Sequence, residues 1–166
     1  MRFLGQKRLD LYEEFISIYI PNNIETYVEP FAGSFAVACY LIEDRIKDGT
    51  EPKKLIYNDI NRYDLTIYAD KVHHLDYKKI FEMYDSVDTF FYLDPPYFKK
   101  EYLYDGCGDY TKQFHIELRD ILKNIKGKFL LSYEDGSFIR ELYKDFNIIE
   151  YDGNDKYLKG ELLINI

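Results

Sequence analysis

The sequence predicts an α/β layer fold, with a mostly parallel sheet and a terminal antiparallel strand pair, on three observations. Strand-like and helix-like segments alternate along the chain, which is how parallel strands with covering helices read. Several of the strand-like segments close on an acid, at the end of a strand where open parallel sheets bind ligands. The last two apolar runs flank a turn at Asp152-Gly153-Asn154, the pattern of an antiparallel pair.

Each element follows from its spacing. Leu9, Tyr12, Phe15, Ile16 and Tyr19 recur at helical intervals over residues 9–20, and Pro21 stops the pattern. Residues 25–31 form a short strand that runs into Ala32-Gly33-Ser34 and then a helix carrying Phe35, Val37, Ala38, Leu41 and Ile42. A second strand, 54–57, ends in Asn58-Asp59, with a short helix expected from Ile60. A brief strand at 72–75 precedes Asp76 and a helix to Tyr84, and residues 89–93 form the next strand. Residues 98–110, rich in Gly, Tyr and charge, read as a flexible link. Phe114, Leu118, Ile121, Leu122 and Ile125 then share one helix face, with Gly127 placed to end that helix. Strand 129–133, helix 138–143 and the strands 146–151 and 161–166 complete the chain.

At 166 residues and 46% hydrophobic content, one domain spanning 1–166 is expected, with enough chain for a core. No run approaches the roughly 18 apolar residues of a membrane span, and residues 1–20 are too charged for a secretory signal, so a soluble, cytoplasmic protein is expected. Cys39 and Cys107 lack partners at metal-ligand spacing and read as free thiols, implying neither zinc nor a disulfide framework. The formal charge of −8 means that a nucleic-acid partner needs a local basic patch. Most of the 18 Tyr and 12 Phe are expected in the core or half-buried.

The strand tips carry the chemistry. Glu29, Asp59, Asp76 and Asp94 each follow a strand, and such tips converge on one crevice. The turn Phe31-Ala32-Gly33-Ser34 lets backbone approach a ligand closely. A carboxylate after the second strand suits the two hydroxyls of a ribose, which makes Asp59 the ribose candidate. Without a phosphate-cradling loop, a nucleoside cofactor fits better than a dinucleotide. Asp94-Pro95-Pro96-Tyr97 adds a stiff corner: each proline fixes its own φ and extends its predecessor, holding the carboxylate and adjacent carbonyls in one arrangement. Rigid acceptors of this kind suit an aromatic amine, whose lone pair becomes available when its protons are hydrogen-bonded. Tyr97 offers a ring on which a base can stack.

The segments "FLGQK" (3–7), "VEPFAGSFAV" (28–37), "YNDIN" (57–61), "HLDY" (74–77), "FFYLDPPYF" (90–98), "FLLSYED" (129–135) and "GELLINI" (160–166) together resemble the ordered motifs of Dam-type DNA adenine-N6 methyltransferases. The resemblance implies a Rossmann-like methyltransferase fold and S-adenosylmethionine as cofactor, with DNA as partner and no metal. By motif, it places Phe3 and Lys7 beside the cofactor and Glu29, Pro30, Phe31, Ala32 and Gly33 around its methionine moiety. Asp59 would hold the ribose and Ile60 would pack on the cofactor adenine, with Asp76 and Tyr77 at that adenine's edge. Asp94, Pro95, Pro96 and Tyr97 would form the catalytic corner for a base flipped out of the duplex, with Asp94 also bordering the cofactor.

Three departures from the family pattern stand out. Gly5-Gln6 replaces a usual pair of glycines, Phe35 replaces the second loop glycine, and only residues 62–75 lie where a target-recognition domain is usually inserted. Specificity is then expected to be relaxed or supplied by a separate chain. Lys53-Lys54, Lys78-Lys79 and Lys126 to Lys128 read as solvated surface; Lys99, Lys100, Tyr102 and Tyr104, which follow the catalytic corner, are the nucleic-acid-binding candidates. His73 and His74 are expected to be structural or solvent-facing. Two other readings remain open: the same chemistry on RNA or another amine, and a non-catalytic cofactor-binding subunit of a methyltransferase complex.

Overall fold

The computed structural model describes residues 9–62, 68–98, 111–153 and 159–166. Its centre is a seven-stranded sheet of order β3-β2-β1-β4-β5-β7-β6, built from β1 (Thr26–Glu29), β2 (Lys54–Asn58), β3 (Lys71–His73), β4 (Thr89–Leu93), β5 (Lys128–Glu134), β6 (Asn147–Glu150) and β7 (Glu161–Asn165). β1 to β5 are mutually parallel, while β7 runs antiparallel to both β5 and β6. The predicted class holds, including the terminal antiparallel pair.

Alternation along the strands sends side chains to two cores. Tyr27, Tyr57, Phe90, Tyr92 and Leu130 face one side, where α1 (Leu9–Leu11), the turns that continue it and α2 (Ala36–Arg45) bury Leu11, Phe15, Ile16, Val37 and Leu41. Val28, Ile56, Phe91, Leu93, Leu131 and Tyr133 face the other, under α3 (Tyr77–Tyr84), α4 (Lys112–Leu122) and α5 (Ser137–Leu142). Every residue of β4 is buried, as expected for a central strand covered on both faces.

Four sequence expectations need correction. The first helix is composite: α1 passes into a π-helical turn, Tyr12–Ile16, and a 3-10 turn, Ser17–Tyr19, before Pro21. Ile60 and Asn61 lie in a bend, so no helix begins at Ile60. The third strand sits earlier than expected and ends at His73. Gly127 does not end α4, which already stops at Leu122. Instead Gly127 leads into β5 where the chain passes β4 so closely that a Cβ there would stand 2.7 Å from the Thr89 carbonyl oxygen. Its N–H and that of Lys126 both donate to Asp85 Oδ1, at 3.0 and 2.8 Å, fixing this entry.

The order of the sheet positions the site. From β1 the chain progresses through β2 to β3 on one side, then crosses back to place β4 on the other flank of β1. Between β1 and β4 the winding reverses, and in open parallel sheets it is beside such a reversal, at the carboxyl ends of the strands, that ligands bind.

Candidate active site

The loop after β1 is braced from β2. Asn58 is buried and gives its amide hydrogens to the Pro30 and Leu75 carbonyls at 2.9 and 3.1 Å, while its oxygen accepts the Leu75 N–H at 3.0 Å. One side chain therefore ties together the chain beyond β1, β2 and β3. The Asn58 carbonyl also accepts the Ala32 N–H at 2.9 Å, and the Tyr57 hydroxyl donates to the Gly33 carbonyl at 3.0 Å. Asn58 had read only as part of a turn, because its partners are distant in sequence.

Asp59 completes the bracing: Oδ2 accepts the Gly33 N–H and Oδ1 the Asn61 N–H, both at 2.9 Å. Partial burial pushes this carboxyl up, while the two backbone donors and His74 pull it back. Gly33 has φ of +50°, and a Cβ built there would meet nothing within 4 Å, so open space lies against this turn. Phe35 adopts φ of +59°, a left-handed conformation that costs a bulky residue about 1–2 kcal/mol. The substituted glycine position thus keeps a glycine-like backbone. Burial of Phe35, with its ring edge-on to Tyr57 at 5.4 Å, offsets the strain.

The other acids diverge in environment. Glu29 is level with Tyr57 in the sheet and only 3% exposed, its carboxyl accepting from the Tyr27 hydroxyl at 2.8 Å and from the Ala38 N–H at the start of α2. Its partners lie on β1 and α2. Burial, opposed by those two hydrogen bonds and reinforced by the nearby Asp94 charge, pushes its pKa up to about 8. Asp94 leaves β4 half-buried, followed by buried Pro95 and Pro96. Glu29 ends β1 and Asp94 follows β4, so the two acids lie at the ends of the adjacent strands between which the winding reverses. Asp76, by contrast, is exposed and caps α3, Oδ1 accepting the Lys78 N–H at 2.8 Å.

Glu29 implies a measurable pH dependence. Its unfolded carboxyl ionises near the ordinary 4.5 and its folded carboxyl near 8. The neutral form's stabilising contribution is therefore complete below 4.5 and is lost as pH rises toward 8, because the unfolded chain releases a proton that the native state retains. Relative to Glu29→Gln, denaturant titrations of the wild type should show a loss of roughly 3 kcal/mol between pH 5 and 7.5. Parallel pH profiles for the two proteins would contradict the buried-acid assignment.

Aromatic residues pack beside the loop after β1 and around the Asp94 corner. Phe31 lies 5.1 Å from Tyr77 and 5.9 Å from Phe114, and Tyr77 lies 5.3 Å from Phe114, all between ring centroids. Tyr77 is buried in this cluster, whereas Ile60 is 50% exposed beside Asp59. Tyr97 is half-buried against Tyr133, with its hydroxyl on Glu161 and Ser132. Phe98 packs 4.4 Å from Phe138 and 5.5 Å from His115, pinning the chain that leaves the Asp94-Pro95-Pro96-Tyr97 corner.

His73 and His74 are tied into the fold by hydrogen bonds. His73 Nε2 meets the Tyr84 hydroxyl at 2.7 Å, and His74 Nδ1 meets the Asp59 carbonyl oxygen at 3.0 Å. Lys53, Lys78 and Lys79 form surface ion pairs with Glu25, Glu117 and Glu82. Phe3, Lys7, Lys99, Lys100, Tyr102, Tyr104 and Cys107 lie outside the described residues. Among those described, no cluster of side chains could hold a metal ion, and no helix is long and apolar enough to cross a membrane.

With Asp59 and the open glycine turn on one side of the winding reversal and the Asp94 corner on the other, the architecture is that of an α/β methyltransferase. The chain belongs to the D12 class N6 adenine-specific DNA methyltransferase family, which it matches over residues 3–74 and 63–156. It is also 37% identical over 73 residues to the type II methyltransferase M.CviBI of Paramecium bursaria Chlorella virus NC1A. That match spans 44% of this chain and 28% of the viral protein.

Proposed function

We propose that this chain is a single catalytic domain that transfers a methyl group from S-adenosylmethionine to the exocyclic N6 amine of adenine in DNA. The observation that carries the reading is the placement of Asp94-Pro95-Pro96-Tyr97 directly after β4, across the winding reversal from the Asp59-braced turn. The residues present suit the donor. Asp59 has acceptor capacity beyond its two backbone bonds, since a carboxylate offers about four lone-pair sites. Ile60 presents an exposed apolar surface for a nucleobase, and the space beside Gly33 leaves room for the cofactor's chain. Pro30 to Gly33 form the loop that faces it, Phe31 adding a half-buried ring, and Glu29 lies buried at the end of β1 just before it.

When bound, the cofactor supplies an electrophilic methyl group on a sulfonium. The chain's own part is to place an extruded adenine in line with it. Asp94 and the adjacent carbonyls accept the amine's hydrogens, directing its lone pair toward the methyl carbon, and Tyr97 receives the base face. Methyl transfer would leave the amine with one proton in excess, and the acceptors that hold its hydrogens would pass that proton to solvent. Tyr77 belongs to the donor side through the Phe31 cluster, and Asp76, which caps the same helix, is proposed to face the cofactor from its exposed position. Lys99, Lys100, Tyr102 and Tyr104 are proposed to meet DNA, Phe3 and Lys7 to border the cofactor, and the work to occur in the cytoplasm. Sequence specificity is relaxed or comes from a separate chain.

Purified protein, incubated with methyl-labelled S-adenosylmethionine and unmethylated DNA, is expected to place the label on adenine, identified by digestion and mass spectrometry. Labelling of RNA alone would instead select an RNA acceptor. Cofactor binding without transfer to any nucleic acid, even with cell extract present, would select a non-catalytic subunit.

A further inference from the structure

The antiparallel strand β7 brings its first residue, not its last, to the carboxyl ends of the parallel strands. Glu161 opens β7 opposite Glu134 at the end of β5, and its carbonyl accepts the Tyr151 N–H at 3.2 Å, so its backbone is held from both sides. Its side chain turns toward the catalytic corner. Tyr97 Oη donates to Glu161 Oε2 at 3.0 Å, and Ser132 Oγ lies 3.3 Å from the same hydroxyl and 3.5 Å from the same carboxylate oxygen. Behind the ring stands Tyr133, at 5.8 Å between centroids, itself held by a 2.6 Å contact between its hydroxyl and His115 Nδ1.

We infer that Glu161 is a positioning residue for the target base, acting through Tyr97. A tyrosine anchored only by its backbone can swing about χ1. One whose hydroxyl is tied to a carboxylate on a neighbouring strand, with a second ring behind it, is fixed in the orientation that an incoming base must meet. The carboxylate is well suited to this, because a charged acceptor binds a hydroxyl more strongly than a neutral one. Burial and the charges of Asp94 and Glu161 push the Tyr97 hydroxyl well above its ordinary range, so it remains a neutral donor at any working pH. Preorganising the stacking surface improves acceptance of the extruded base without touching the methyl donor.

This inference rests on the methyltransferase reading, and its test separates the two. Glu161→Ala and Tyr97→Phe are each expected to lower kcat/KM for DNA by about tenfold to a hundredfold, chiefly through KM, with calorimetric affinity for S-adenosylhomocysteine kept within about twofold. Glu161→Gln, whose amide oxygen can still accept from the hydroxyl, should recover most of the loss. The double variant should be no worse than the worse single variant, because both remove one interaction. Full activity in Tyr97→Phe, or multiplicative losses in the double variant, would overturn the proposal. A second measurement stands apart from activity: with fluorotyrosine incorporated, the Tyr97 resonance should be a single sharp line that broadens or splits in Glu161→Ala. An unchanged line would refute the clamp even if the wild type methylates nothing. An altered line in a protein inactive on every nucleic acid would preserve the clamp and reject the DNA reading.

Discussion

Asp94→Ala is expected to lower methyl transfer to DNA by about a thousandfold while leaving the fold in place. Removal of one preorganised polar group that acts on the reacting centre typically costs 10²–10³ in rate, and loss of a charged acceptor lies at the upper end of that range. The substitution should be tolerated structurally, because Asp94 lies beyond β4, half-buried, and the prolines that follow keep the corner stiff. Asp94→Asn retains one acceptor without the charge and should fall between wild type and Ala. The two variants share a second signature. Loss of the Asp94 charge removes one of the influences that raise Glu29, so the pH at which Glu29 ionises should drop. A carboxyl resonance followed by NMR would report this independently of catalysis. Activity within tenfold of wild type in Asp94→Ala would reject Asp94 as the group that holds the amine.

What could be read in the sequence was whatever depends on neighbours along the chain. β4 was delimited at Thr89–Leu93 because a short apolar run bounded by polar residues and prolines has few alternatives. The acids at the strand tips were legible for the same reason, since a carboxylate after an apolar run marks where the strand leaves the core. Gly127 was misread because its cause is not local: helix termination and a close pass of Thr89 both favour glycine, and only the packing of β4 beside β5 decides between them. Phe35 presents the converse case. A bulky residue at a glycine position implies an altered loop, yet burial against Tyr57 maintains the left-handed backbone. Glu161 was invisible as a site residue because its role follows from strand direction and order, and the run "GELLINI" records neither. Asn58 is similar: three of its hydrogen bonds reach positions 17 or 28 residues away.

Substitution of Asp59 should weaken cofactor binding on the order of a hundredfold, and the more conservative change should be no milder than the severe one. Each oxygen of Asp59 already accepts one backbone N–H, from Gly33 and from Asn61, and each retains a free lone-pair direction for a ribose hydroxyl. Asp59→Ala removes both hydroxyl acceptors and loosens the Gly33 turn. Loss of roughly 3 kcal/mol, appropriate to two hydrogen bonds to a charged group, is equivalent to a factor of about a hundred. Asp59→Asn preserves shape but exchanges one acceptor for an NH₂ donor, which at either position must then confront a backbone N–H, of Gly33 or of Asn61. An amide is therefore no substitute for a carboxylate here. Calorimetry with S-adenosylhomocysteine measures both variants, and a dideoxyribose analogue of that ligand separates ribose recognition from loop support. The wild type should bind the analogue about as poorly as Asp59→Ala binds the parent ligand, whereas Asp59→Ala should bind the two alike. Should Asp59→Ala still prefer the parent ligand strongly, the ribose hydroxyls are held by other groups, and Asp59 serves only to brace the turn.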